Sequence, residues 1–287
     1  VLYLDDNYGS AGGYKRGLQE AYSDPECEFI WLLDDDNKPL KNSLNVLKRC
    51  WHDLNIQNKE IKIALLSWRR NKEFDQILAI VENNPNKVLG KKNSFYGFHI
   101  LDFGEKIYRT FKRSVYQTHL NIDLLLNYLV EKNIQSGELA VAPYGGLFVH
   151  KKCLDKIGFP NEDFFVYADD HEWSYRLTKA GGKILLCWKS QLEDLEMSWH
   201  IAENRLTTFD VLLKTATGYR VYYAIRNRIF FEINNLVFSK PLYLINMLAF
   251  KFFLWFFSLI YEKFERYKLV NLAIRDGLNG NLGKRKK

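Results

Sequence analysis

Cysteine is scarce in this chain of 287 residues. Its four copies, Cys27, Cys50, Cys153 and Cys187, contain no C-x-x-C pair. That argues for a reducing compartment over a disulfide framework, and Cys27 and Cys187 sit in apolar settings that suit buried thiols. No secretory signal opens the chain. It opens without methionine on Val1-Leu2-Tyr3-Leu4, which reads as a strand in mid-domain, so a further N-terminal piece is expected ahead of it. Surplus charge is missing from most of the sequence as well. The net charge is +7, and residues 240–287, with ten Lys or Arg against three acids, account for all of it. A near-neutral body argues against a general nucleic-acid binder, and the basic tail suits an anionic partner such as a membrane surface. With 47% hydrophobic and 26% charged residues, the chain is globular and long enough to bury a full core.

What is present centres on Glu28-Phe29-Ile30-Trp31-Leu32-Leu33-Asp34-Asp35-Asp36-Asn37-Lys38-Pro39. The apolar half predicts a buried parallel strand, and Pro39 is expected to stop its ladder. Three adjacent carboxylates at a strand's end suit a hard divalent cation shared with a phosphate; a solvated acidic turn is the plainer alternative. The acids are followed by Asn37, Lys38 and Pro39 rather than continuing as D-D-x-x-D on a helix, which argues against prenyl transfer. Ahead of them, residues 5–13 read as a glycine-rich loop and 14–22 as a helix. Backbone N–H groups at Gly12 and Gly13 would then approach phosphate. The spacing there matches neither the P-loop nor G-x-G-x-x-G, so a simple tight turn fits equally well.

Residues 43–51 predict a helix and 61–68 a strand, and 69–137 form a polar, aromatic-spotted insertion with helical periodicity at 121–130. Gly145 and Gly146 open a strand on which a ligand can lie flush against the backbone. A second acid group, Asp169-Asp170-His171-Glu172-Trp173, starts a helix that runs to Lys179. The helix dipole favours acids there, which accounts for one carboxylate more readily than for two. Residues 184–188 predict a strand, and Met197-Ser198-Trp199-His200 the end of another. From Phe209 the sheet signals stop. A long helix over 219–235 sets Tyr222, Tyr223, Arg226 and Asn227 along one stripe. Residues 242–260 are nearly long enough to span a bilayer. Lys251 in their middle would cost at least about 2.5 kcal/mol there, so a helix lying in the membrane surface is expected, with Lys263, Arg266 and Lys268 for anionic headgroups. A purely internal helix is the alternative.

The ordered series of Asn7-x-Gly9-x-Ala11-Gly12-Gly13, Trp31-Leu32-Leu33-Asp34-Asp35-Asp36-Asn37-x-Pro39, Gly145-Gly146-Leu147-Phe148, Ile157-Gly158, Phe164-Phe165-x-Tyr167-x-Asp169-Asp170-x-Glu172-Trp173-Ser174-x-Arg176, His200 and Tyr222-Tyr223-x-x-Arg226-Asn227 resembles family 2 glycosyltransferases of the GT-A fold. It is most similar to their bacterial rhamnosyl- and galactofuranosyltransferase-like branch. The resemblance covers nearly the whole chain, apart from a nucleotide-binding strand and loop that family members carry before the Asn7 segment.

The resemblance implies an α/β fold with a mixed, mostly parallel Rossmann-like sheet over residues 1–205, and a helical, membrane-associating extension over 206–287. It implies inverting, metal-dependent transfer of galactofuranose or rhamnose from a nucleotide-diphosphate donor to a hydroxyl of a lipid-linked or cell-envelope glycan. The enzyme would work on the inner face of the bacterial plasma membrane. Asp34, Asp36 and His200 would hold Mg²⁺ or Mn²⁺. Asp34, Asp35, Gly12, Gly13, Gly145 and Gly146 would meet the donor, and Asp170 would be the general base. Asp169, Glu172, Trp173 and Trp199 would line the acceptor side. Oligomerisation stays open. The competing expectation is a non-catalytic membrane-associated module that kept this fold and lost donor binding.

Overall fold

The computed structural model describes residues 1–70, 73–102, 122–195 and 207–285. The chain divides into two compact units. The first comprises Val1–Leu89, Asn121–Glu162 and Asp169–Ala202; the second takes Gly90–Leu120, Asp163–Ala168 and Glu203–Lys287.

The first unit is a mixed sheet with helices on both faces. In chain order its elements are α1 (Gly9–Ser23), β1 (Phe29–Trp31), β2 (Asn37–Pro39), α2 (Ser43–Asp53), α3 (Lys59–Lys62), β3 (Ile63–Arg69), α4 (Phe74–Val81), α5 (Ile122–Glu131), β4 (Gly137–Leu139), β5 (Leu147–His150), α6 (Cys153–Ile157), α7 (Asp169–Lys179) and β6 (Lys183–Asp194). The strands run β1-β5-β3-β6-β2, with β4 also on β6. Strand β3 is buried along six consecutive residues, Ile63 to Trp68, because its two faces are both covered. Ala64 and Leu66 point into a core shared with Leu147, Trp173, Leu177 and Ile184. Ile63 and Leu65 point the other way, onto Leu47, Phe148 and Leu185. That is the two-residue alternation of an extended chain.

The expectation of a mostly parallel sheet is corrected. Only β3 and β6 pair in parallel, and the four other pairings among the described residues are antiparallel. The apolar run before the acids contributes β1, a half-buried strand antiparallel to β5, not a buried parallel one. It is three residues long, and Phe29 draws its cover from stacking on Phe148 and edge contact with Trp51. Past the acids the chain forms a separate short strand, β2, paired with β6 at the other end of the strand order, and it ends on Pro39. Residues Val1–Leu4 form no strand and are exposed. Nor is 9–13 a loop: Gly12 and Gly13 lie inside α1. Of the long insertion, α4 and α5 give Ile77, Ile80, Leu125 and Leu129 to the core of this unit. The strand expected at 197–200 lies outside the described residues.

Strand β6 is twelve residues long, and its pairing sets up one side of the site. Its first half lies between β3 and β4. The register shifts at Ser67/Trp68 of β3, after which β6 pairs with β2 and brings Asp194 opposite Asn37.

The second unit is helical: α8 (Thr208–Asp210), α9 (Gly218–Asn235), α10 (Lys240–Ile260) and α11 (Phe264–Asn279). Helices α9 and α11 approach closely at Gly277, where an added Cβ would stand 2.5 Å from the Arg226 carbonyl oxygen. The stripe foreseen on α9 acts as a clamp. Asn227 Nδ2 donates to the carbonyls of Phe164, Val166 and Tyr167 at 2.8, 2.8 and 2.9 Å, and Arg226 donates to Phe164 (3.0 Å) and Gly283 (2.7 Å). The held segment needs holding, since Phe165, Tyr167 and Ala168 all adopt positive φ (66°, 68° and 58°).

Candidate functional site

The site is assembled within the first unit, from the turn between β1 and β2, the first half of α1, the entry to β5 and the start of α7. The turn is closed by Asn37 N–H donating to the Asp34 carbonyl at 3.0 Å. The Asn37 side chain then organises the acids. Its Oδ1 accepts from Asp34 N–H (3.1 Å), and its Nδ2 donates to Asp36 Oδ1 (3.0 Å) and to Asp194 Oδ1 (2.8 Å). Asp34 and Asp36 are half-buried, and Asp35 is exposed.

Gly145 makes room for this arrangement. A Cβ there would collide with Asn37 Oδ1 and stand 2.6 Å from Asp34 Oδ2. The space left by the missing side chain is thus filled by the acidic turn. Gly146, at φ 100°, sits against the Ser67 carbonyl, 2.9 Å from where a Cβ would be.

Helix α1 joins the two acid groups. Ser10 and Tyr14 are one turn apart and share a face. Ser10 Oγ donates to Asp169 Oδ2 at 2.7 Å, and the Tyr14 hydroxyl donates to Asp34 Oδ1 at 2.6 Å. The Tyr14 ring stacks on Tyr144, centroids 4.0 Å apart, and Tyr144 leans on Trp173. Tyr14 is held protonated well above the usual phenol range, first by burial, then by the charges of Asp34, Asp170 and Asp169. One hydroxyl therefore feels carboxylates from both acid groups.

The carboxylates feel one another as well. Burial is the main cause lifting Asp34 above the usual carboxylate range, and repulsion from Asp36 and Asp170 adds to it. The Tyr14 hydrogen bond and Arg69 pull the other way. Arg69 Nη1 lies 3.5 Å from Asp34 Oδ2 while the other end of its guanidinium is bonded to Glu73. Asp169, 3% exposed, is pushed up to about 7, by burial first and then by Asp170, against the Ser10 hydrogen bond. Asp170 is half-buried, and its carboxylate accepts the His171 backbone N–H at 2.7 Å.

Asp34 is thus bonded to Tyr14 and Asp169 to Ser10 one turn earlier on α1, while Asn37 holds Asp36 beside Asp34, and Gly145 lies against that first pair. The acceptor-side expectations need correction at α7. Trp173 is fully buried and donates to the Gly158 carbonyl (2.9 Å), so it offers no surface to a ligand. Its side chain points to the core because it falls one turn from Leu177 on the inner face. Both carboxylate oxygens of Glu172 accept from Arg176, from Nε at 2.8 Å and Nη2 at 2.6 Å. Trp199 and His200 lie outside the described residues. Gly12 packs against Tyr8 inside α1, where a Cβ would meet the Tyr8 Cβ at 2.6 Å, and Gly13 faces open space.

Tyr14, Ser10, Arg69 and Asp194 went unremarked as site residues in the sequence. The i, i+4 spacing of Ser10, Tyr14 and Leu18 was the available signal for the first two.

No cluster of three or more metal-type side chains occurs among the described residues. The donor chemistry nevertheless suits a hard divalent cation: two half-buried carboxylates on one turn, more negative charge close by, and the half-buried Arg69 guanidinium against it. Asp34 and Asp36 are the described residues that would hold one.

No protein-family model matches the chain, and no curated protein matches it. Among solved structures, it is similar to the crystal structure of GalNAc-T7 with UDP, GalNAc and Mn²⁺, with a TM-score of 0.42 and 10% identity. That likeness covers 79% of this chain and 35% of the neighbour, so the chain spans about a third of the neighbour's length. At that degree of likeness the match carries no conclusion about activity.

Proposed function

We propose that the protein is a glycosyltransferase of GT-A type that moves a sugar, galactofuranose or rhamnose, from a nucleotide-diphosphate donor to a hydroxyl of a lipid-linked or envelope glycan with inversion. The observation that carries this reading is the bridging of the two acid groups by α1, where Tyr14 donates to the Asp34 carboxylate and Ser10, one turn earlier, donates to Asp169. A displacement at an anomeric carbon needs charge control on the leaving side and a base on the attacking side, on different elements. The β1–β2 turn and the start of α7 supply those two elements.

In this reading Asp170 takes the proton from the acceptor hydroxyl as its oxygen bonds to the anomeric carbon. The bond to the diphosphate breaks, and its electron pair leaves with the nucleoside diphosphate. A bound Mg²⁺ or Mn²⁺ would offset the charge on that departing group. Asn37 and Gly145 keep Asp34 and Asp36 aimed together, and Tyr14 fixes the Asp34 rotamer. Asp169 orders the first turn of α1 through Ser10.

The test is transfer from a panel of nucleotide-diphosphate sugars with Mn²⁺. Asp170→Asn should lower turnover by about 10²–10⁴-fold, with donor binding measured by calorimetry unchanged, whereas Asp34→Asn should weaken donor binding itself. Full turnover by Asp170→Asn contradicts the base assignment. The guanidinium of Arg69 beside Asp34 favours a second reading, a module that kept the fold without donor binding. Absence of binding across the whole panel by the wild-type protein would support that reading.

A further inference from the structure

Helix α10 has two apolar faces, and its unit uses one of them. Tyr243, Asn246, Phe250, Leu254 and Ser258 are buried. Asn246 is bonded at both ends of its amide, donating to the Asn93 carbonyl (2.8 Å) and accepting the Ile100 N–H (2.9 Å). Phe250 lies among Phe95, Phe98 and Phe209. The other face carries Leu244, Ile245, Leu248, Phe252, Trp255 and Phe256, each between 41% and 57% exposed. At 3.6 residues per turn these side chains fall in one arc of roughly 120°, and none in the arc is charged. Soluble monomers seldom leave so continuous an apolar stripe facing water.

One border of the arc is cationic. Lys251, half-buried near the middle of the helix, forms no ion pair or hydrogen bond among the described residues. With Met247 it forms one wall of a groove of about 570 Å³, and α11 supplies the other with Lys268, Asn271 and Arg275. The acids facing these cations are Glu265, paired with Lys268 at 2.7 Å, and Asp276, 3.6 Å from Arg275 and already accepting the Tyr222 hydroxyl. The groove therefore keeps a positive balance. An apolar stripe beside a cation-lined groove fits a layered surroundings of acyl chains and phosphate.

We infer that α10 lies flat in the surface of a lipid bilayer, its exposed stripe among the acyl chains, with Lys251, Lys268 and Arg275 binding the phosphate of an anionic phospholipid headgroup. By length and hydropathy the helix could cross a membrane. Two observations set it in the plane instead. A crossing would strip Asn246 of Asn93 and Ile100, and it would carry Lys251 to the bilayer centre. The inference stands independently of the transferase reading.

Flotation of the full chain with phosphatidylcholine vesicles, with and without phosphatidylglycerol, tests it. The wild type floats, more strongly with phosphatidylglycerol, and salt weakens that preference. The triple variant K251A/K268A/R275A loses the preference, about fivefold in partition per charge. The double variant F252S/W255S loses flotation with both vesicles. All five side chains are at least partly exposed, so unchanged circular dichroism and melting temperature will show that the fold survives. A wild type that fails to float overturns the inference, as does a triple variant with its lipid preference intact. So does a wild-type dimer in sedimentation that F252S/W255S abolishes while flotation persists.

Discussion

At the scale of single residues, the site is defined by who holds each carboxylate. Asp169 is the clearest case, because the fold buries it and then places Asp170 beside it. Its pKa rises to about 7 in the folded chain, against about 3.9 for an aspartate in water. Between those values the folded state binds a proton that the unfolded state has released, so stability should fall as pH rises from about 4 to 7. Urea midpoints across that range should show the decline, and Asp169→Asn should flatten it. A decline of equal slope in the variant would place its source elsewhere. None of this was legible beforehand. The sequence shows two adjacent acids, but which is buried depends on partners such as Ser10, far away along the chain.

At the scale of elements, two short segments do the positioning. The β1–β2 turn depends on Gly145, because no side chain fits between that backbone and Asn37. Gly145→Ala should cost about 1–3 kcal/mol through overpacking, measured by thermal melting, and should abolish donor binding by displacing Asp34. Binding retained in a folded Gly145→Ala protein would show that the turn's shape is immaterial. In the second unit, residues 165–168 hold three non-glycine residues at positive φ, a conformation that costs of order 1–3 kcal/mol at each position. Asn227 offsets it with three hydrogen bonds. Asn227→Ala should lower stability by about 2–4 kcal/mol, seen in denaturant unfolding, and a loss below 1 kcal/mol would deny it that role. The helices α2 and α9 were readable from their 3.6-residue pattern, α7 from the acids at its start, and α10 and β3 from their apolar runs. Strand sense was not: pairing depends on distant partners, and a three-residue strand such as β1 carries no mark of direction. The glycines of α1 suggested a loop because glycine disfavours helices, yet packing on Tyr8 makes Gly12 fit there.

At the scale of the molecule, composition already separated a near-neutral body from a basic, aromatic C-terminal stretch. The two units follow that division in outline, although the second also takes in residues from two earlier stretches of chain. The acid groups, distant in sequence, are joined by α1, through Ser10 to Asp169 and Tyr14 to Asp34. The account depends on that meeting more than on any one residue. The most direct check is a Mn²⁺ titration of the protein labelled with ¹³C at its aspartate carboxyls, since paramagnetic broadening fades steeply with distance. The signals of Asp34, Asp36 and Asp170 should broaden together at Mn²⁺ levels that leave the exposed Asp53 sharp. Broadening at Asp34 with Asp170 untouched, or none at either, would contradict a shared site.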